Sequence, residues 1–213
     1  MLGRIRWGNG RKVELKTEQI LGISLLCIEL PQNSRRPAEK VIQKGAELLC
    51  RNHITRVLTP SEFPWDILAH AGLRPVETRA LRCALTPIWV KTQLKQRGIC
   101  PEEAVLRLKG AKREFELEQV ARSLCPMVRN LIVDMPNGNM AAKRLRQEMG
   151  VPVLSGETFA AHLTLLFDGG PVLAGAKAAL RHKELPLDCE SFPLLEVLWE
   201  NGRIKTEEIV LEI

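Results

Sequence analysis

Ala104-Val-Leu-Arg-Leu108, Lys112 to Leu124 and Asn130-Leu-Ile-Val-Asp134 read as strand, helix and strand, and this triplet decides the fold. The two outer segments are short, apolar and rich in branched residues, as strands buried on both faces are. Between them Phe115, Leu117, Val120, Ala121 and Leu124 recur at helical spacing and are expected to face inward. The alternation then continues. Pro136-Asn137-Gly138-Asn139 supplies a turn, Met140 to Met149 a short helix with Met140, Ala141, Leu145 and Met149 on its buried stripe, and Gly150 a stop. Val151-Pro-Val-Leu154 and His162-Leu-Thr-Leu-Leu-Phe167 are two more short strands.

The same alternation occurs earlier in the chain. Ile23-Ser-Leu-Leu-Cys-Ile-Glu-Leu30 is a nearly continuous apolar run, and a helix is expected from about Pro37 to Asn52 on the spacing of Ala38, Val41, Ile42, Gly45, Leu48 and Leu49. Thr55-Arg-Val-Leu58 follows as a strand, then a short helix from Pro64 to His70 and a weak strand from Leu73 to Glu77. Arg79 to Arg97 is a helical connector in which Thr86-Pro87 either kinks the helix or restarts it. Parallel strands joined by crossover helices connect right-handedly, so residues 22–167 predict two βαβαβ units in a mostly parallel sheet between helix layers. That arrangement resembles the Rossmann-like, three-layer α/β architecture.

Additions flank this core. Arg4-Ile-Arg-Trp7 and Arg11-Lys-Val-Glu-Leu15, separated by Gly8-Asn9-Gly10, predict an N-terminal β-hairpin within residues 1–21. Residues 168–213 predict a small α/β extension in which Ser191 to Trp199 is helical. No low-complexity linker interrupts the 213 residues, so a single domain is expected.

Composition narrows the function classes. Arg35 to Arg146 carries 21 Lys or Arg against 11 Asp or Glu, whereas Gln147 to Ile213 carries 5 against 11. A basic middle can attract phosphates or nucleic acid, or it can simply solvate helix faces. The chain has no Tyr and 4% aromatic residues, which disfavours nucleic acid because stacking platforms are scarce. The six cysteines, Cys27, Cys50, Cys83, Cys100, Cys125 and Cys189, form no C-x-x-C pair and read as reduced core residues. With no signal-peptide pattern and no run of about 18 apolar residues, a cytoplasmic protein off the membrane is expected.

Ligands of open α/β sheets sit beyond the carboxyl ends of the strands, where strand order reverses. The residues after each expected strand are therefore the candidate site. Lys109-Gly110-Ala111-Lys112-Arg113 follows a strand and opens a helix, so Gly110, Lys112 and Arg113 offer backbone N–H groups and cations to an anion. Asp134 stands 24 residues beyond Gly110, where an acid meets a ribose in dinucleotide sites, although the G-x-G-x-x-G spacing is missing. Asn137, Gly138 and Asn139 form either an anion nest or an ordinary turn in which Asn139 caps the helix beginning at Met140.

Complete catalytic signatures are absent from the sequence. The four histidines are scattered, and neither H-E-x-x-H, G-x-S-x-G nor a Walker motif occurs. No catalytic residue, metal site or cofactor is assigned. The expected function is binding of a phosphate-bearing, nucleotide-like small molecule at the strand carboxyl ends. The alternatives are a non-catalytic interaction or homo-oligomeric protein that docks through Phe192 and Trp199, and nucleic-acid binding by the basic middle region.

Overall fold

A computed structural model describes residues 1–32, 37–112, 115–150, 152–156, 160–181, 184–185 and 191–212. The protein is a mixed α/β chain with six α-helices and mostly parallel sheets among these residues. It forms two compact units, one made of Met1–Thr78 with Ala178–Val210 and the other of Arg79–Lys177 with Leu211–Ile213.

The first unit opens with β1 (Leu2–Gly8), β2 (Glu14–Ile20), β3 (Ile23–Pro31), α1 (Ala38–Arg51), β4 (Arg56–Leu58), α2 (Trp65–His70) and β5 (Arg74–Pro75). Their sheet order is β2-β3-β1-β4-β5, with β2 antiparallel to β3 and every other pair parallel. The amphipathic α1 lays Val41, Ile42, Ala46 and Leu49 onto a core that includes Ile5, Ile28 and Leu30.

The expected N-terminal hairpin is therefore corrected: β1 and β2 are not neighbours, because β3 lies between them. The hairpin joins β2 to β3 through Leu21 and Gly22, whose φ values of 48° and 80° suit a tight two-residue connection. Burial explains the choice. Leu2 to Ile5 are all buried, so β1 needs partners on both sides, whereas Glu14 to Thr17 are all exposed, which suits an outer strand.

The second unit contains α3 (Arg79–Gln96), β6 (Val105–Gly110), α4 (Phe115–Leu124), β7 (Asn130–Asp134), α5 (Gly138–Met149), β8 (Val153–Ser155) and β9 (Leu163–Phe167). Helix α3 runs through Pro87 without restarting, and the Thr86 hydroxyl donates to the carbonyl of Arg82 at 2.8 Å. The four strands are all parallel, in the order β8-β7-β6-β9. Chain direction through the sheet thus reverses once. From β6 the chain steps outward to β7 and then β8, and β9 returns to the other flank of β6. Helices α4 and α5 pack on each other, and Arg122 to Glu148 at 2.9 Å and Arg144 to Glu118 at 3.4 Å tie them together.

The remaining elements are β10 (Lys177–Leu180), α6 (Ser191–Glu200) and β11 (Ile209–Glu212), with β10 and β11 paired as a two-stranded sheet. Leu194 to Leu198 of α6 are buried, and Phe192 and Trp199 are half-buried. No helix among the described residues is long and apolar enough to cross a membrane.

Candidate functional site

The carboxyl ends of β6, β7 and β9 gather most of the residues singled out by sequence. Strand β6 ends at Gly110, which is buried, and a Cβ there would stand 3.2 Å from the carbonyl oxygen of Lys112 and 3.3 Å from Leu117. The chain therefore turns tightly off the strand. Lys112 is exposed beside this turn, and Arg113 lies outside the described residues.

Asp134 is the last residue of β7, in direct register with Lys109 of β6. Its Oδ2 is shielded from solvent and accepts no hydrogen bond, and the Lys109 Nζ stands 3.8 Å away. The acid is thus held at the junction of two adjacent strand ends, with acceptor capacity left over.

Helix α5 begins earlier than expected. Asn137, at φ 59°, is its N-terminal flanking residue and makes no side-chain capping bond, while Met140 donates its N–H back to the Asn137 carbonyl at 3.0 Å. Asn139 is consequently inside the first turn rather than a cap. The cause is Gly138, which approaches β7 so closely that a Cβ would lie 2.9 Å from the Val133 carbonyl oxygen, and whose N–H donates to Met135 at 2.9 Å. The Asn139 side chain instead accepts a hydrogen bond from the hydroxyl of Ser155 at the end of β8. Asp134, Asn139 and Ser155 thus all stand at the carboxyl ends of β7 and β8 or on the helix start between them.

Beyond β9, Asp168-Gly169-Gly170 forms a turn in which the Asp168 N–H donates to the Gly170 carbonyl at 3.0 Å. Gly169 and Gly170 have φ of 62° and 128°. Across them lies Arg79, the first residue of α3; a Cβ on Gly170 would be 2.8 Å from its Cγ. The Arg79 guanidinium reaches Glu116, in the first turn of α4, at 3.2 Å. The Glu116 carboxyl is held below the ordinary carboxylate range by its own backbone N–H, and further by Arg79 and Lys112.

Sequence reasoning missed Arg79 and Glu116. The Gly169-Gly170 pair was the available signal, since adjacent glycines mark a close approach, but nothing in the chain names the side chain that approaches. Elsewhere, His162 has a structural part: its Nδ1 accepts the Val105 N–H at 2.9 Å, at the amino end of β6. Cys27, Cys83 and Cys125 are buried as expected, whereas Cys100 is exposed. Among the described residues, no group of three or more His, Cys, Asp or Glu is arranged to hold a metal ion.

No protein-family model matches the chain, and no curated protein matches it.

Proposed function

We propose that the carboxyl ends of β6, β7 and β9 bind a phosphate-bearing, nucleotide-like small molecule in a Rossmann-like half-sheet. One observation carries this: the order β8-β7-β6-β9 reverses between β6 and β9, the place where open α/β sheets take ligands. Gly110 ends β6 at that point, and Asp134 ends β7 on the other flank of β6. Lys112 and Arg113 serve the phosphate, Asp134 accepts from the hydroxyls of a ribose, and Asn137, Gly138 and Asn139 line the side nearest β7. No side chain is assigned a chemical step, so the proposed activity is binding.

Thermal unfolding of the purified protein with NAD, NADP, ATP, GTP, S-adenosylmethionine and inorganic phosphate tests this. A ligand present at about 100 times its dissociation constant stabilises by about 2.7 kcal/mol. The expected result is a shift with one nucleotide class that is lost in the Lys112→Ala, Arg113→Ala double variant. If every nucleotide leaves the unfolding temperature unchanged, the ligand site is wrong.

A further inference from the structure

We infer that β2 is a self-association edge, where two copies of this chain pair their β2 strands antiparallel about a two-fold axis through Thr17, independently of the ligand site.

Strand β2 ends its sheet, so one row of its main-chain N–H and C=O groups faces no strand among the described residues. Which residues own that row follows from the turn. In a two-residue hairpin the closing pair, here Ile20 and Ile23, exchanges both hydrogen bonds, and the pattern then alternates along the strand. Glu18, Lys16 and Glu14 therefore turn their main chain towards β3, while Gln19, Thr17 and Leu15 turn theirs outward. All three outward residues are exposed, Leu15 to 42%. Edge strands are commonly kept from pairing by shortness, proline or a bulge. Strand β2 has none of these: it runs for seven residues without proline and matches β3 one to one from Glu14 to Ile20.

Its charges select a second copy as the partner. Like charges along an edge would repel one, whereas Glu14, Lys16 and Glu18 alternate in sign. With Thr17 set opposite Thr17, Leu15 exchanges main-chain hydrogen bonds with Gln19, Thr17 with Thr17 and Gln19 with Leu15, which uses every outward group of the strand. Lys16 then stands opposite Glu18 of the second copy, and Glu18 opposite its Lys16, at the closely spaced positions between those bonds. Moving to the next register that keeps the faces aligned sets Lys16 on Lys16 and Glu14 on Glu18 in one direction, and Glu18 on Glu18 in the other. Both side chains are already held in place, Lys16 by Glu14 and Glu29 and Glu18 by Arg4 and Arg6. They are thus preorganised, and an ammonium with three donors and a carboxylate with about four lone-pair sites still have capacity for each other.

Sedimentation velocity of the reduced protein between about 5 and 500 µM tests the inference, with circular dichroism establishing the fold of each variant. Pairing through one strand covers less than a standard interface of about 1,600 Å², so a reversible dimer that dissociates on dilution is expected. Thr17→Pro deletes the central outward N–H, which β3 does not use, and Thr17→Lys sets two ammonium groups against each other at the axis. Each should weaken the dimer about tenfold or more; if Thr17→Pro does not fold, Thr17→Lys decides. In a Cys100→Ser background, Thr17→Cys should form an intermolecular disulfide on mild oxidation, because the facing Cα atoms would be about 5.5 Å apart, and Leu15→Cys should not. A monomer over the whole range, a dimer undiminished in the folded Thr17 variants, or faster cross-linking at Leu15→Cys than at Thr17→Cys each overturns the inference.

Discussion

Lys109 and Asp134 are register partners on adjacent parallel strands, and the Lys109 Nζ lies 3.8 Å from the Asp134 Oδ2. The separation exceeds a hydrogen bond, and the Lys109 side chain is 48% exposed while that of Asp134 is only 16% exposed. The acid is fixed by the strand end, and the lysine is the more exposed member of the pair. Lys109→Ala should change stability by about 0.5 kcal/mol or less in urea unfolding, as exposed pairs do. Asp134→Ala should instead act on ligand affinity, weakening nucleotides but not inorganic phosphate, because phosphate carries no ribose for the carboxylate to hold and the loss of a negative charge does not disfavour an anion. Equal weakening of both probes would detach Asp134 from the sugar.

Gly138 stands under a different constraint, from packing. A methyl group there would meet the Val133 carbonyl oxygen at 2.9 Å, and both the carbonyl and the helix start are fixed backbone. Gly138→Ala should destabilise the protein by about 1–3 kcal/mol, as overpacking does. Gly10→Ala is the control, since its nearest neighbours would be 3.7 Å away. That change should stay within about 0.5 kcal/mol. Urea midpoints of the two variants at one temperature decide the matter.

The second unit was the more legible of the two, and residue chemistry explains why. Apolar strands alternate with helically spaced stretches there, and most turns contain a glycine or asparagine, so β6, α4, β7, α5 and β9 fall within a few residues of expectation, although Phe115 and Met140, expected on the buried stripes, are 72% and 70% exposed. Strand order was not legible, because pairing depends on partners distant in sequence. In the first unit Gly8-Asn9-Gly10 looked the stronger hairpin signal, yet the turn forms at Leu21-Gly22, where Leu21 gives no hint of positive φ. Local turn chemistry lost to burial on both faces of β1. Within the site, Gly110, Asp134 and Gly138 were found because strand ends can be read from pattern. Arg79 was not, because its contact with Gly170 spans 91 positions that no periodicity connects.

Acid should loosen the first unit through Glu29. Its carboxylate is held below the ordinary range by the hydrogen bond from Arg6 and then by that from Lys16, at 3.1 Å and 3.2 Å. A carboxylate lowered in the folded state contributes stability that is present above the unfolded value of about 4.3 and is lost as pH falls through the lower folded value. Glu29→Gln should therefore be less stable than wild type at pH 7 by about 1 kcal/mol or less, since its partners Arg6 and Lys16 are 29% and 48% exposed. Once the pH lies below both values, the two proteins should unfold at the same urea concentration. A difference that persists at that acidity would assign the effect to packing over Gly8, whose Cβ position the Glu29 side chain occupies.

Thiol reactivity offers the last check, because exposure and acidity act separately on the cysteines. Cys27 is buried and its thiol is pushed up to about 11, first by loss of solvent and then by the charge of Glu18. At pH 8 roughly one molecule in a thousand carries the thiolate, and burial hides even that one. Cys125 is buried and shifted upward for the same first reason. Cys100 is exposed, but its Sγ donates to a carboxylate oxygen of Glu102 at 2.6 Å, which also raises its pKa. Iodoacetamide on the native protein at pH 8 should thus spare Cys27 and Cys125 and label Cys100 slowly. Glu102→Gln removes the charge that opposes ionisation, so Cys100 labelling should speed up severalfold at pH 8, with its rate rising at lower pH than in wild type. Mass spectrometry of tryptic peptides over a time course resolves each site. Rapid native labelling of Cys27 would contradict its burial in β3, whereas an unchanged Cys100 rate in Glu102→Gln would show that exposure alone sets its reactivity.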